Sequence, residues 1–439
     1  MVKMANFKTL PGFREFYPED YAKKSYLFSC WRGVARSFGF QEFEPPVLEQ
    51  LDLFTEKSGE EIKSQLFEFV DKGERAVSLR PEMTPSLARM VGAKAAGIRR
   101  PVKWFAIGEN YRYERQQKGR LRAFYQFNAD ILGEASLNAD AEIIALLIES
   151  LRVFGLDENQ FKLRLGDRNL WVLFLQNSGV EDERLIAVLS VIDKLEKVSP
   201  EALLDMMKTA LVGSEANAEK LIENIRQLVA LRSVDALEEF FNSIGVKSEN
   251  IALRLKDWRD LLSLLDSMDV VKFVSVDMGI VRGLAYYTGF VFEAFQTVGT
   301  GRALAGGGRY DNLVAKLGYQ DMPAVGFGMG DVTVSDLLEL VGLEKSDDFS
   351  PEVYVIIGSE NVRRNALSVV RTLRSAGVRT DYPFKSAGFG KQFKQADALG
   401  TKYAVIVGED EVAKGVVKIK NLKTAEEREV AISEIVSAI

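Results

Sequence analysis

The chain has 439 residues, which is enough for two or three domains, and it carries 57 Lys plus Arg against 63 Asp plus Glu. This balance does not exclude a nucleic-acid partner, but it confines such a partner to local basic patches. The sequence contains no histidine, which excludes Ser/His/Asp and Cys/His triads and most zinc sites. The single cysteine, Cys30, excludes an intrachain disulfide and is typical of a reducing compartment.

From the sequence we expect neither a membrane span nor an export signal. No run of about 18 apolar residues occurs, so we expect no transmembrane helix. The first residues, MVKMANFKTLPGF, lack both an apolar h-region and a cleavage site. Together with the single cysteine, these features predict a cytoplasmic protein.

The first part of the chain mixes helical and strand patterns. Helical spacing runs over residues 18–37, a strand pattern over 41–44 ends at two prolines, and residues 65–70 and 75–79 predict a strand pair. The segment SLRPEMTPSLARM then leads from a strand into a helix. Glu82 lies at that junction, either facing a cleft or as a solvated turn residue.

The stretch from Gly108 to Gly133 predicts a basic hairpin. Residues 104–113 form an apolar, aromatic strand, and a polar loop closing at Gly119 leads to a second strand with a period of two. One face of that second strand carries Arg122, Phe124, Gln126, Asn128 and Asp130. Glu114 alone opposes five basic residues around the loop, which are Arg112, Arg115, Lys118, Arg120 and Arg122.

Two interpretations of this hairpin stay open on periodicity alone. Guanidinium groups bind phosphate in a bidentate way and a flat ring stacks on a base, so the polar strip with its single aromatic ring suits a nucleotide. In the other interpretation, the charges only keep an edge strand soluble.

The pattern changes to helices alone from Val180 to about Met268, which predicts an all-helical insertion. Strand patterns return at residues 272–277 and continue in MGIVRGLAYYTGFVFEAF. Arg282, Tyr286 and Tyr287 surround the turn of this segment, where the tyrosines either pack or form a polar pocket.

Glycine-rich segments follow. Residues 299–308 contain five glycines and lead into GGGRYDNL, a composition that lets backbone approach a ligand closely. In AVGFGMG, glycines at 326, 328 and 330 leave one strand face bare, so a flat group could lie against it. We expect Asp331 to cap the following helix. No Walker pattern occurs, so the glycines alone are weak evidence for a nucleotide.

Residues 345–351 form a polar linker, and the remainder predicts a small α/β module with a last helix from Ile432. Its alternation of strands and helices indicates a parallel or mixed sheet covered on both faces. Four lysines near one end form either an RNA-binding patch or a solvated face, namely Lys385, Lys391, Lys394 and Lys402.

With these segments in order, the chain resembles the histidyl-tRNA synthetase family, a class II aminoacyl-tRNA synthetase family, over almost its whole length. FEPP at residues 43–46 is similar to motif 1, YRYERQQKGRLRAFYQF to motif 2, and AVGFGMG to the start of motif 3. RGLAYYTG and GGGRYDNL are similar to two boxes specific to this family.

The resemblance implies an α+β fold whose catalytic domain is built on an antiparallel sheet. The implied catalytic core comprises residues 1–179 and 269–343, a helical insertion occupies 180–268, and an α/β anticodon-binding domain occupies 351–439. The implied activity is ATP-dependent activation of L-histidine to histidyl-adenylate, followed by transfer to tRNA(His). Mg²⁺ would accompany ATP, no metal would reside in the protein, and the enzyme would be a homodimer.

The resemblance also implies residue roles. Catalysis would rest on Arg112, holding the α-phosphate of ATP and the histidine carboxylate, and on Arg282, stabilising charge at that phosphate. Glu114 and Arg120 would orient the adenosine and the outer phosphates, and Phe124 would stack on adenine. The implied histidine-binding residues are Glu82, Met83, Thr84, Arg112, Gln126, Asp130, Arg282, Tyr286, Tyr287 and Tyr310. The implied tRNA contacts are Arg115, Gln117, Lys391 and Lys394.

Three positions depart from the family pattern. Ala285 stands where aspartate is usual, Asp130 stands where glutamate is common, and Thr333 stands where a motif 3 arginine normally grips the γ-phosphate. Residues 331–341 contain no basic residue. Arg120 or another cation such as Mg²⁺ therefore covers that role, or ATP turnover is impaired.

Two other functions compete with this interpretation. A synthetase-like regulatory subunit of ATP phosphoribosyltransferase shares the catalytic fold and binds histidine as a sensor; Thr333 favours it, whereas the motif 2 arginines, Arg282 and the C-terminal module oppose it. A synthetase for threonine, proline or glycine is opposed by the RGLAYYTG and GGGRYDNL boxes.

The absence of histidine suggests one regulatory hypothesis. A message without histidine codons needs no charged histidyl-tRNA, so a cell starved of histidine could still translate this chain.

Overall fold

The computed structural model describes residues 7–55, 63–114, 120–195, 197–214, 216–246, 248–281 and 286–439. The chain divides into two compact units, residues 1–346 and 347–439. Within the described segments, no helix combines the length and apolar character that crossing a membrane requires.

The elements of the first unit confirm the predicted mixture of strands and helices. Its strands are β1 (Gln41–Glu42), β2 (Leu48–Gln50), β3 (Phe67–Val70), β4 (Ala76–Leu79), β5 (Val102–Tyr111), β6 (Ala123–Leu132), β7 (Phe161–Asp167), β8 (Val274–Val276), β9 (Phe290–Gln296), β10 (Ala303–Arg309) and β11 (Ala324–Gly330). Its helices are α1 (Pro18–Ser37), α2 (Asp52–Thr55), α3 (Thr84–Gly92), α4 (Leu137–Arg152), α5 (Arg168–Asn177), α6 (Leu185–Ile192), α7 (Pro200–Ala210), α8 (Ala218–Ala230), α9 (Val234–Ser243), α10 (Glu249–Ser267), α11 (Leu313–Lys316) and α12 (Asp331–Leu340).

An eight-stranded sheet organises this unit in the order β1-β5-β6-β11-β10-β9-β7-β8. The six strands from β5 to β7 pair antiparallel, and the short strands β1 and β8 pair in parallel at the two edges. A separate antiparallel sheet has the order β2-β4-β3. The long β5–β6 hairpin confirms the two strands predicted around the basic loop.

The main hydrophobic core covers one face of the large sheet. Trp31 of α1 stacks on Phe127 of β6 with ring centroids 5.6 Å apart, and Ile144 and Leu147 of α4 are fully buried in the same core. Because side chains alternate along a strand, the neighbours of Phe127 in β6 point to the opposite face. That face is therefore left for the polar strip.

Helices α6 to α10 correspond to the predicted insertion, and the described residues between Leu185 and Ser267 form no strand. A buried polar anchor holds α10 to the sheet. Arg254 donates to Asp167 over 2.6 Å from Nε, and Trp258 Nε1 donates to the same carboxylate over 2.9 Å. Asp167 also accepts from two backbone N–H groups at the start of α5.

The second unit is a small α/β fold. Its strands are β12 (Val353–Ile357), β13 (Thr380–Asp381), β14 (Tyr403–Val407), β15 (Val416–Asn421) and β16 (Glu427–Ala431), and its helices are α13 (Arg363–Ser375), α14 (Phe389–Ala398) and α15 (Glu409–Lys414). The sheet order is β13-β12-β14-β15-β16, parallel across the first three strands and antiparallel across the rest. The predicted mixed sheet is confirmed, and apolar clusters line both of its faces.

The end of this unit differs from the prediction. No last helix forms at Ile432; residues Ile432–Glu434 make only a short 3-10 turn. The preceding charged residues form β16, where Glu427 pairs with Lys420 of β15 over 2.6 Å. Opposite charges on adjacent strands stabilise this hairpin. Strand β16 was not predicted from the sequence, because its residues are mostly charged and lack an apolar strand pattern.

Candidate active site

A cavity of about 110 Å³ lies on the face of β6 that carries the polar strip. Four parts of the chain contribute its polar groups: the turn before α3 with the first residue of that helix, the β5–β6 hairpin, the segment before β9, and the residue after β10. The lining residues are Glu82, Thr84, Arg112, Gln126, Asn128, Asp130, Tyr286, Tyr287, Gly306, Tyr310, Gly326, Phe327 and Gly328. The fold thus brings together most of the residues predicted to bind histidine.

One end of the cavity is closed by buried acids and phenols. Tyr310 donates to Asp130 Oδ1 over 2.6 Å, and Tyr286 donates to Glu82 Oε2 over 3.0 Å. All four side chains are less than a tenth exposed. Burial raises the pKa of Asp130 to about 7, the bond from Tyr310 opposes this rise, and the charge of Glu82 adds to it. This end can therefore bind a polar ring and exchange a proton near neutral pH.

The alternate glycines of β11 make room for side chains of the neighbouring strand. The register pairs Gly326 with Asp130 and Gly328 with Asn128. A Cβ on Gly326 would clash with Asp130 Oδ1, and a Cβ on Gly328 would lie 3.1 Å from Asn128 Nδ2. The bare face predicted for a flat group is thus at least partly filled by Asp130 and Asn128, which lean across it.

The glycines of β10 have two different uses. Gly306 lines the cavity, as expected for close approach to a ligand. A Cβ on Gly307 would instead collide with the Gly326 carbonyl oxygen, and one on Gly308 would lie 2.8 Å from Phe290 O. These two glycines therefore permit close packing against neighbouring strands.

Arg309, between these glycines and Tyr310, is fixed by a buried ion pair. Its Nη2 lies 2.5 Å from Asp140 of α4, and its Nη1 lies 3.1 Å from Asp311. The pair holds the segment bearing Tyr310 against α4. Because Arg309 and Asp140 are 169 positions apart in the chain, no local sequence pattern indicated this ion pair.

Two buried polar residues to which the sequence analysis gave no role, Asn110 and Arg80, make hydrogen bonds that hold the β5–β6 hairpin. Asn110, which is fully buried, donates to Gln126 Oε1 over 2.9 Å and so fixes the orientation of that amide. Arg80 donates to Pro45 O over 2.6 Å and to Glu109 O over 2.9 Å, joining the motif 1 segment to β5. The period-two pattern of β6 placed Asn128 on the polar strip, but no sequence pattern predicted a role in the site for Asn110 or Arg80.

The other end of the cavity is cationic. Arg112 donates from Nε to Pro81 O over 3.0 Å, and its guanidinium carbon lies 5.4 Å from the centre of the Phe124 ring. Beyond it, Arg120 and Glu114 form an ion pair of 3.2 Å, in which the arginine side chain is 64% exposed. The Arg120 side chain is therefore mostly exposed to solvent and can reorient toward a ligand.

The start of α12 corrects one prediction. Asp331 does not cap the helix, because Gly330 is the N-cap and Asp331 is the first helical residue. Its buried carboxylate accepts from Tyr125 N over 2.9 Å and pairs with Arg14 over 2.7 Å, tying α12 to β6 and to the N-terminal segment. Thr333, at the motif 3 arginine position, is half-buried.

Several predicted site residues cannot be placed in the cavity. Arg282 and Ala285 lie outside the described residues, as do Arg115 and Gln117. Met83 is buried against Gly108 and is not part of the lining. In the second unit, two exposed residues of α14 are the predicted tRNA contacts Lys391 and Lys394. The described residues contain no group of three or more acidic or cysteine side chains able to hold a metal ion.

Comparison with known proteins gives a consistent result. A family model described as histidyl-tRNA synthetase matches residues 12–332, and an anticodon binding domain model matches residues 352–439. The histidine–tRNA ligase of Opitutus terrae is 49% identical over 432 residues, covering 98% of each chain. The chloroplastic/mitochondrial histidine–tRNA ligase of Arabidopsis thaliana is 37% identical and covers 97% of this chain and 85% of its own. The crystal structure of histidyl-tRNA synthetase from a Nostoc species aligns with a TM-score of 0.77 at 25% identity over 99% of both chains.

Proposed function

We propose residue roles on one premise: the chain belongs to the histidyl-tRNA synthetase family, and its activity is that of a histidine–tRNA ligase. The carrying observation is the cavity itself, with a guanidinium at one end and the buried Asp130–Tyr310 pair at the other. In our proposal, the histidine carboxylate lies at Arg112 and the imidazole ring lies at Asp130. Glu82, Thr84 and Gln126 bind the amino acid between these ends.

In the first step, a carboxylate oxygen of histidine attacks the α-phosphorus of ATP. The bond from that phosphorus to the bridging oxygen breaks, pyrophosphate leaves, and histidyl-adenylate forms. Such chemistry needs positioning and positive charge but no nucleophilic side chain. Arg112 supplies charge within the described site, and we propose Arg282 as the second cation from its place in the RGLAYYTG box.

The nucleotide lies over the hairpin in this proposal. Adenine stacks on Phe124, whose ring already lies beside the Arg112 guanidinium. Glu114 orients the adenosine, and Arg120 covers the outer phosphates that a motif 3 arginine would otherwise hold. Two observations support giving Arg120 this role: its side chain is exposed, and its ion pair is with Glu114, which we also assign to the nucleotide.

Mg²⁺ enters with ATP in our proposal. The described residues form no carboxylate cluster that would cage the ion, and Mg²⁺ commonly binds to substrate phosphates with few protein ligands. Its chemistry is to neutralise charge on the phosphates.

In the second step, a hydroxyl of the terminal ribose of tRNA(His) attacks the histidyl carbonyl carbon, and AMP leaves. We propose that Arg115 and Gln117 contact the tRNA near the active site. The second unit, residues 351–439, binds the anticodon with Lys391 and Lys394 among its contacts. Residues 180–268 act as an insertion between core segments 1–179 and 269–343.

We also propose that the enzyme is a cytoplasmic homodimer. The single cysteine supports a reducing compartment. The motif 1 region and the small sheet expose several apolar side chains that a second subunit could cover, namely Val47, Leu48, Phe69 and Val70.

ATP–pyrophosphate exchange with each amino acid tests the proposal. We expect exchange with histidine alone, and we expect Arg282→Ala to abolish it without changing the melting temperature. Histidine binding without exchange would instead favour the sensor function. A parallel loss of exchange and stability in Arg282→Ala would make Arg282 structural.

A further inference from the structure

Asn128 lies in the cavity between the two ends to which the proposed function assigns the substrate. It is 5% exposed, it lines the cavity, and it stands on β6 between Gln126 and Asp130. We propose that the Asn128 amide hydrogen-bonds to ring nitrogen Nδ1 of the bound histidine and is a specificity-determining residue for this reaction.

The first argument is an unmet hydrogen bond. Asn128 Oδ1 is buried and has no hydrogen-bond partner among the described residues. A buried amide atom without a partner destabilises a protein, and native structures retain few of them. No contact to this oxygen therefore fixes which end of the amide, the oxygen or the NH₂ group, faces the cavity, and a polar ligand group can select either orientation.

The second argument is the order of side chains along β6. Residues 126, 128 and 130 point to one face, so Asn128 is one step nearer to Arg112 than Asp130 is. In histidine, Nδ1 is nearer to the carboxylate than Nε2 is. A substrate with its carboxylate at Arg112 and its ring at Asp130 therefore presents Nδ1 toward Asn128 and Nε2 toward Asp130.

The third argument is chemical complementarity. Neutral imidazole has one N–H donor and one acceptor nitrogen. An ionised Asp130 accepts a hydrogen bond from Nε2–H, so the Nδ1 that remains is an acceptor, and the amide of Asn128 donates to it. Rotation of the amide by half a turn exchanges its oxygen and NH₂ group, so the donor can face the ring. Asp130 and Asn128 would then each hydrogen-bond to one of the two ring nitrogens.

The test compares three substrates in wild-type enzyme and in Asn128→Ala, using ATP–pyrophosphate exchange. The substrates are histidine, the thiazolylalanine isomer with sulfur in place of Nδ1, and the isomer with sulfur in place of Nε2. We expect Asn128→Ala to raise KM about 10-fold for the two substrates that keep Nδ1, with little change in kcat. The isomer that lacks Nδ1 should lose nothing, because the contact is already absent.

The isosteric variant Asn128→Asp keeps the volume of the side chain and removes its donor, so it distinguishes a lost hydrogen bond from a cavity. We expect Asn128→Asp to raise KM for histidine at least as much as Asn128→Ala does. An equal loss for all three substrates in Asn128→Ala would place the contact elsewhere on the amino acid and overturn the inference. So would full activity toward histidine in both variants.

The outcome separates this inference from the proposed site on which it rests. If wild-type enzyme does not prefer histidine over either sulfur isomer, the assignment of this cavity to the imidazole fails, and the inference fails with it. If the wild type prefers histidine but Asn128→Ala retains that preference over the isomer lacking Nδ1, only the role of Asn128 fails.

Discussion

The phenol of Tyr310 donates a 2.6 Å hydrogen bond to Oδ1 of Asp130, and both side chains are at least 98% buried. The pair joins the residue that follows the glycine-rich strand β10 to the C-terminal part of β6. Burial raises the pKa of Asp130 to about 7, while the bond from Tyr310 favours the ionised form. The Tyr310 hydroxyl therefore controls how much of the carboxylate is ionised at neutral pH.

Tyr310→Phe should lower the catalytic efficiency of the enzyme with histidine. Loss of a hydrogen bond to a charged group costs about 1.5–3 kcal/mol, so kcat/KM for histidine in pyrophosphate exchange should fall by about 10- to 100-fold at pH 7. The pKa of Asp130 should rise further, so the deficit should be smaller at alkaline pH. Tyr354→Phe is the matched control, because Tyr354 is a buried tyrosine of the second unit whose hydroxyl has no partner in the described chain. Equal activity losses in both variants would contradict a role for Tyr310 at the site.

The ionisation of Asp130 should also be visible in stability. Its pKa is higher in the folded protein than in the unfolded chain, so the folded state binds this proton more tightly, and the stability it contributes is present at acid pH and lost as pH rises through about 7. Asp130→Asn removes this dependence. The unfolding free energy of the variant minus that of the wild type should therefore increase by about 2–3 kcal/mol between pH 5 and pH 8. Urea unfolding measures it, and a constant difference would count against the raised pKa.

Gly326→Ala should damage the site through sterics alone. The added Cβ would clash with Asp130 Oδ1 and displace the carboxylate. We expect KM for histidine to rise at least 10-fold, as for other displaced binding groups. Gly330→Ala on the same strand is the matched control, because the nearest atom to its Cβ is Thr333 Oγ1 at 3.6 Å, an ordinary contact. Comparable kinetics for the two variants would show that Asp130 tolerates displacement.

Arg254→Ala should destabilise the first unit. It leaves the fully buried Asp167 without its arginine, and breaking a buried ion pair from one side costs about 3–5 kcal/mol. Arg259→Ala, on the same helix, breaks exposed pairs with Asp235 and Glu238 and should cost less than about 1 kcal/mol. Urea unfolding compares the two. If the variants are equally stable, the anchor between α10 and β7 contributes little.

The histidine-free sequence predicts continued synthesis during histidine limitation. Pulse labelling should show this chain being made at an undiminished rate while histidine-containing proteins decline, because its message needs no charged histidyl-tRNA. A variant carrying Lys220→His and Glu239→His at exposed positions is the control and should decline with the others. A parallel decline of the natural chain would dispose of the hypothesis.

Local patterns were sufficient for some features of the site. The alternation of residues in β6 placed Phe124, Gln126, Asn128 and Asp130 on one face, because the side-chain period of a strand is independent of what lies beside it. The same reasoning was insufficient at Asp331. A carboxylate at a helix start suggests a cap, but the competing bonds from Arg14 and the Tyr125 backbone come from distant parts of the chain.

By itself, the sequence determined which functional groups the protein can use. It has no imidazole side chain, it has a basic hairpin, and it carries glycine- and tyrosine-containing motifs in a fixed order. Only the tertiary structure decided which of these groups meet. The register between β6 and β11 lays Asp130 over Gly326 and Asn128 over Gly328, and the loop after β10 brings Tyr310 to Asp130 across 180 positions. These contacts depend on strand pairing between remote segments, and a period of two fixes the face of a side chain but not its partner.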